Sequence, residues 1–182
     1  MVNKAVFLDR DGVINQTEVR DGKPYAPRKI EDFIILPGVE DAIVNIKALG
    51  YLVVVVTNQP DINNNLVDSA AVEAMHNRLA HLPIDKIYVC PHTRDEGCFC
   101  RKPKPGMLFQ ARDELNIDLS KSYMVGDRQS DMQASIAAGC TSILMDYNYP
   151  ETQLQIYDFI CYNLIEFYEL LLGFSNVRQP EN

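Results

Sequence analysis

Asp9 and Asp11 lie one residue apart at the end of the apolar run Val6-Phe7-Leu8, and Gly12 follows them. The run reads as the end of a buried strand, so both acids are carried to one strand end. Like charges this close in a low-dielectric setting repel by roughly several kcal/mol. A hard divalent cation such as Mg²⁺, which prefers carboxylate oxygens, resolves that conflict. The competing reading is a plain Asp-Gly hairpin turn. It is the weaker one, because Val13-Ile14-Asn15 is not a second alternating strand. A calcium loop fails: it needs Gly at the sixth position and Glu at the twelfth, and counting from Asp9 those are Ile14 and Arg20.

A second set of candidate ligands is Cys90, His92, Cys98 and Cys100. Three thiolates and one imidazole suit tetrahedral zinc, and with all four positions filled by protein the site is structural. Unrelated thiols are the bland alternative, disfavoured by four soft ligands in so short a stretch. Arg101 and Lys102 follow the last ligand directly, so a fixed loop aims both cations at whatever anion binds nearby. Cys140 and Cys161 read as packed small hydrophobes. His76 and His81 read as surface or packing residues, neither having a partner at useful spacing.

The elements that position these residues follow from apolar periodicity. Strands are expected over 4–9, 51–57, 86–89, 123–125 and 141–145, with a short one at Phe159-Ile160. Val53 to Val56 is apolar on both faces, as a strand covered by helices on both sides must be. Helices are expected over 38–49, from an Asp68 cap along Val72, Met75, Leu79 and Leu82, from Pro105 to Leu115, over 129–138, and over 164–172. Residues 16–36 read as an irregular, substrate-facing connection broken by Gly22, Pro24 and Pro27. Alternating strands and helices predict an α/β fold: a three-layer, doubly wound, mostly parallel sheet in one domain, residues 1–173, with a polar tail at 174–182. Such a sheet binds ligands at the carboxyl ends of its strands. Asp9 and Asp11, Thr57 and Asn58, Lys102, and Asp127 with Asp131 all follow strands, so the winding brings them to one edge. Asp127 and Asp131 are four apart, and both reach one ion if Asp131 is on the first helical turn.

The 182 residues carry a formal charge of −8 with no Trp, and 47% are hydrophobic. No basic block is present, which argues against nucleic acid as partner. The longest apolar run, Leu52 to Val56, is too short to span a bilayer. Five cysteines, an odd number, with no export signal fit reduced thiols and a cytoplasmic protein. The partner expected is a small phosphorylated metabolite, and the chain is expected to act as a monomer.

Four stretches carry a resemblance: Leu8-Asp9-Arg10-Asp11-Gly12-Val13-Ile14-Asn15, Val56-Thr57-Asn58-Gln59, Cys100-Arg101-Lys102-Pro103, and Val125-Gly126-Asp127-Arg128-Gln129-Ser130-Asp131-Met132. They resemble the four motifs of the haloacid dehalogenase (HAD) superfamily, nearest its histidinol-phosphatase-like branch. The resemblance implies a Mg²⁺-dependent phosphatase with Asp9 as nucleophile and Asp11 as proton donor and later base. Asp9, the backbone carbonyl of Asp11, and Asp127 would hold Mg²⁺. Thr57 and Lys102 would stabilise the phosphoryl group, and Asn58, Arg101 and Arg128 would contact substrate. The Cys-x-His…Cys-x-Cys arrangement is also similar to that of this branch. No large cap domain is inserted after either of the first two motifs.

The pattern looks most like that of phosphatases removing the 7-phosphate of a heptose bisphosphate, with histidinol phosphate the second choice. One departure follows Gln59: those enzymes continue with Ser-Gly and an Ala-Arg-Gly-like turn, and this chain reads Pro60-Asp61-Ile62-Asn63-Asn64-Asn65. A basic residue is lost there and an acid gained. A reading from another class, an inactive HAD-like binding module, is disfavoured because both Asp9 and Asp11 are present.

Overall fold

The computed structural model describes residues 2–149 and 156–177. In chain order its strands are β1 (Ala5–Leu8), β2 (Glu18–Arg20), β3 (Lys23–Tyr25), β4 (Leu52–Asn58), β5 (Lys86–Cys90), β6 (Tyr123–Gly126), β7 (Thr141–Met145) and β8 (Phe159–Cys161). Its helices are α1 (Val39–Ala48), α2 (Ser69–Asn77), α3 (Gly106–Leu115), α4 (Gln129–Ala138) and α5 (Leu164–Val177). Six strands form one sheet in the order β5-β4-β1-β6-β7-β8, and every pairing in it is parallel. The three-layer α/β expectation holds.

Side-chain alternation along the strands separates the two apolar layers. Val6, Leu8, Val53 and Val55 face one side with Ile43, Met75 and Phe167. Ala5, Phe7, Val54 and Val56 face the other with Met107, Leu108 and Ala134. Helices α1, α2 and α5 thus cover one face, and α3 and α4 cover the other. Each fully buried valine contributes on the order of 1.5–3 kcal/mol relative to exposure. β1 is central: the chain winds outward from it to β4 and β5, then crosses to β6 on its other flank. That reversal opens a crevice at the carboxyl end of β1.

Three expectations change. Residues 16–36 are not wholly irregular, because β2 and β3 pair as an antiparallel hairpin. Its turn is Asp21-Gly22, both at positive φ, as a two-residue hairpin loop requires. Helix α2 stops at Asn77, and Leu79 and Leu82 stay buried from the turns beyond it. At the C-terminus α5 runs through Gly173 to Val177 instead of ending at Leu172. Phe174 stacks on Tyr123 at 5.8 Å and meets Phe159 at 4.6 Å, and those contacts carry the helix past the glycine. The rest of the expected tail, 178–182, lies outside the described residues. No helix among the described residues is long and apolar enough to cross a membrane.

Candidate active site

Asp9 directly follows β1, and its backbone N–H donates to the Val125 carbonyl at 2.9 Å. Asp127 directly follows β6, one strand away. Asp131 occupies the first turn of α4 and accepts from the Arg128 N–H at 3.1 Å, capping that helix. Ligand oxygens of Asp9, Asp127 and Asp131 all lie within 4.8 Å of one another. Two glycines make this crowding possible. A Cβ on Gly12, which sits at φ +89°, would fall 2.2 Å from Asp127 Oδ2, and one on Gly126 would fall 2.2 Å from the Asp131 Cβ.

Lys102 enters from the loop after β5, and its ammonium is buried. Nζ donates to the Val56 carbonyl at 2.8 Å and lies 2.9 Å from Asp9 Oδ1 and 2.6 Å from Asp131 Oδ1. Three partners match its three N–H bonds. Burial pulls the lysine pKa down, but Asp131 and Asp9 outweigh it and leave the ammonium more firmly charged than usual. Burial pushes the Asp9 carboxyl up to about 6, with Lys102 opposing the rise and Asp131 and Asp11 adding to it. Asp127 is pushed well above the carboxylate range, by burial first and then by Asp9 and Asp131.

Both Asp127 oxygens are buried without a hydrogen-bond partner. A carboxylate stripped of water and left unpaired is strongly unfavourable, and a small oxygen-seeking cation is the partner its chemistry fits. The acid cluster therefore fits Mg²⁺ at Asp127 and Asp9. Asp131 is already engaged by Lys102 and the helix cap, so its first task here is to hold the lysine.

Asp11 is not the bare carboxylate its sequence position suggested. Arg10 reaches it through Nε and NH2 at 2.8–3.1 Å. Asn15 donates at 2.9 Å and Gln59 at 2.6 Å. The repulsion between Asp9 and Asp11 is thus met by Lys102 for one and Arg10 for the other, and the need for a cation falls on Asp127. Sequence reasoning missed Arg10 as a buried clamp, together with Gln59 and Asn15. The signal was an arginine set between two acids at the end of an apolar strand.

The remaining candidates divide. Thr57 is buried and its hydroxyl accepts from Gln59 at 2.9 Å, which leaves its own proton for an acceptor. Asn58 lines the cleft, but its amide is spent on Lys102: it accepts from the Lys102 N–H and donates to the Lys102 carbonyl, both at 3.1 Å. It therefore positions the lysine loop. Arg101 lines the cleft and donates to the His92 carbonyl at 3.0 Å. Arg128 lines the cleft and donates to the Pro24 carbonyl of the hairpin. The cleft holds about 610 Å³ and opens between the hairpin, the loop after β4 and the Cys/His loop; the hairpin belongs to the 16–36 connection expected to face substrate.

Cys90, His92, Cys98 and Cys100 do converge, with ligand atoms within 4.8 Å of one another. Cys90, Cys98 and Cys100 sulfurs lie 3.2–3.7 Å apart, and His92 Nδ1 is 3.2 Å from Cys100 Sγ. A zinc tetrahedron with bonds of about 2.3 Å has S–S edges of about 3.8 Å, so the set fits zinc after slight expansion.

The strand-end acids, the buried lysine and the doubly wound sheet are the marks of a HAD-like hydrolase, and the HAD-hydrolase-like family model matches residues 99–155. The chain is 39% identical over 158 residues to the D-glycero-beta-D-manno-heptose-1,7-bisphosphate 7-phosphatase of Pseudomonas putida, covering 84% of this chain and 87% of that one. It is 42% identical to the Yersinia pestis protein of the same name, covering 81% and 83%. A crystal structure of D,D-heptose 1,7-bisphosphate phosphatase from B. bronchiseptica, complexed with magnesium and phosphate, superposes with a TM-score of 0.82 at 33% identity, covering 93% and 98%. This chain belongs to the D-glycero-beta-D-manno-heptose-1,7-bisphosphate 7-phosphatase family of HAD-like hydrolases.

Proposed function

We propose that this chain hydrolyses the 7-phosphate of D-glycero-beta-D-manno-heptose 1,7-bisphosphate, as a cytoplasmic enzyme dependent on Mg²⁺. The names of its relatives support that substrate over histidinol phosphate. The observation that carries the chemistry is Asp9 beside a buried, fully engaged ammonium, next to a carboxylate with no partner.

Arg10 N–H and Lys102 both bind Asp9 Oδ1, which leaves Oδ2 for attack on phosphorus. As that bond forms, the bond from phosphorus to the sugar oxygen breaks, and the oxygen leaves with a proton from Asp11. Water then attacks the aspartyl-phosphate, gives its proton to Asp11, and frees Asp9 and inorganic phosphate. Lys102, as a fixed buried positive charge, and the Thr57 hydroxyl, as a donor, face the charge that builds on the phosphoryl oxygens, and loss of one such donor typically slows reaction by about 10²–10³. Asp9, Asp127 and the Asp11 carbonyl would hold Mg²⁺, which offsets charge between nucleophile and phosphate. Zinc on the four Cys/His ligands would fix the loop that delivers Arg101 and Lys102.

The test is phosphate release from a panel with Mg²⁺: the heptose bisphosphate, histidinol phosphate and hexose monophosphates. The expected kcat/KM for the bisphosphate exceeds the others by about 10² or more, the scale on which two unfilled anion contacts discriminate. Turnover of none by folded, metal-supplied protein would establish the binding-module reading instead.

A further inference from the structure

The loop after β4 carries Pro60-Asp61 where the resemblance leads one to expect a basic turn, and the structure holds that loop firmly. The Gln59 N–H donates to the Cys90 carbonyl at 2.7 Å, and its side-chain amide reaches Asp11 and Thr57. The Asp61 carbonyl takes two N–H groups, from Leu66 at 2.9 Å and from Val67 at 3.2 Å. The backbone of Asp61 is thus fixed beside the cleft that this residue lines. Its side chain is fixed as well. Asp61 Oδ2 accepts from Arg28 Nε at 2.7 Å, and the carboxylate is one-fifth exposed. The pairing is end-on, one N–H on one oxygen, and not the two-pronged fork that arginine and carboxylate often form. Among the described residues no donor reaches Asp61 Oδ1.

We propose that Asp61 is a specificity-determining residue that accepts a hydroxyl of the sugar, with Arg28 as its positioning residue. This rests on the reading of the chain as a sugar phosphatase and deepens it. A carboxylate accepts hydrogen bonds and donates none. A sugar hydroxyl supplies the missing donor, whereas a phosphate dianion supplies none and is repelled. Cations line the same cleft from other segments: Arg94, Arg101 and Lys104 from the Cys/His loop, and Arg128 at the start of α4. The cleft therefore sorts the two kinds of group on one substrate, phosphate toward the cations and hydroxyl toward Asp61. Arg28 makes an acid tolerable in an anion-binding cleft. It offsets the charge and fixes the carboxylate while occupying only one of its oxygens.

The experiment is steady-state kinetics on the Mg²⁺- and Zn²⁺-supplied enzyme with two esters: the heptose bisphosphate, and phenyl phosphate, which has no hydroxyl. The quantity read is the ratio of kcat/KM, bisphosphate over phenyl phosphate. In Asp61→Ala the ratio is expected to fall about 10- to 100-fold, the scale of one hydrogen bond to a charged acceptor. The contact is made by bound substrate and transition state alike, so the loss should be in KM, with kcat for the bisphosphate within about threefold. Asp61→Asn keeps the shape and an acceptor oxygen, and should hold the ratio within about fivefold of the parent. Arg28→Met should lower the ratio in the parent background and change nothing further in the Asp61→Ala background, as a residue acting through Asp61 must. An unchanged ratio in Asp61→Ala overturns the proposal. A ratio that rises in either Asp61 variant also overturns it, because Asp61 would then act only by repelling anions. A loss carried by kcat overturns it in favour of support for the catalytic groups through Gln59. Turnover of neither ester by the folded parent removes the phosphatase reading itself, whereas an active parent with an unmoved ratio removes only the role of Asp61.

Discussion

Asp127 is the residue whose replacement should separate stability from function. Its two buried oxygens have no hydrogen-bond partner, and it shares a site within 4.8 Å with Asp9 and Asp131. At an effective dielectric of about 20, two like charges that far apart repel by about 3.5 kcal/mol. Without a cation the cluster can escape by keeping a proton. Holding a proton at pH 7 on a carboxyl whose ordinary value is 3.8 costs about 4 kcal/mol, which bounds the penalty. Asp127→Asn removes the charge but leaves a buried amide with unmet hydrogen bonds, worth about 1–3 kcal/mol against it. The net expectation is a magnesium-free variant more stable than the parent by about 1–3 kcal/mol, or roughly 3–10 °C in Tm.

The sign has a pH signature. The folded parent binds more protons than the unfolded chain between 3.8 and the raised value, so its stability falls as pH rises through that window. The asparagine variant lacks this loss, so it should be the less stable protein near pH 4, where only its amide penalty counts, and should gain on the parent as pH rises. Mg²⁺ should raise the melting temperature of the parent and leave the variant unmoved, since only a binding-competent native state is stabilised by ligand. The assay is thermal melting of protein dialysed free of magnesium without chelator, so that the Cys/His cluster keeps its metal. A variant less stable than the parent at pH 7–8, or one equally stabilised by Mg²⁺, would refute the argument.

Asp9→Asn should abolish turnover while melting within a few degrees of the parent or above it; loss of fold and activity in step would assign Asp9 a structural task. Metal analysis of the parent should find about one zinc per chain and Cys98→Ala should lose it. Because Arg101 hangs from the His92 carbonyl, that variant should show a raised KM; a zinc-free parent would leave this expectation without basis. His76, held neutral with a pKa of about 4 against an ordinary 6.5, faces Arg10 and Asp11 as its charged neighbours. Its folded form binds fewer protons than the unfolded chain, so its contribution is whole above pH 6.5 and is lost as pH falls toward 4. The full shift would amount to about 3 kcal/mol, and partial exposure of the ring reduces the expectation to about 1 kcal/mol. Stability of His76→Gln across pH 4–7 should lack that slope, and a variant that keeps it would show that another group titrates.

The strand ends were legible because each is a run of apolar residues that stops at a polar one. Leu8 to Asp9, Val56 to Thr57 and Gly126 to Asp127 are such breaks, and a parallel sheet brings them together whatever the loops do. The Cys/His cluster was legible because soft ligands are scarce and close in sequence. The network behind Asp11 was not. Arg10, Asn15, Gln59 and His76 are residue types found on any surface, and only the turn after β1, the loop after β4 and the end of α2 coming together make them partners. The second task of Asn58 was hidden for a related reason: its neighbourhood named the site, but only coordinates show that its amide also ties down the Lys102 backbone. The hairpin β2–β3 carried its Asp21-Gly22 signal, yet its short strands are largely exposed and lack an apolar rhythm.

A chain with formal charge −8 must still attract the proposed bisphosphate, which carries about −3 to −4 at pH 7, and the cleft bears on this locally. Asp61, where the resemblance leads one to expect a basic turn, is paired with Arg28 at 2.7 Å at the cleft wall. Arg94, Arg101, Lys104 and Arg128 line the same cleft from the Cys/His loop and the start of α4. The same lining holds Asp9, Asp11, Asp61 and Asp131, so the cations offset those acids at close range, where charges are screened less than those beyond about 8–10 Å at physiological salt. On the proposed reading, cations arriving from another loop stand in for the basic residue that the resemblance leads one to expect after Gln59. Zinc on the four Cys/His ligands, as proposed above, would couple recognition of an anionic sugar to a site that never touches it.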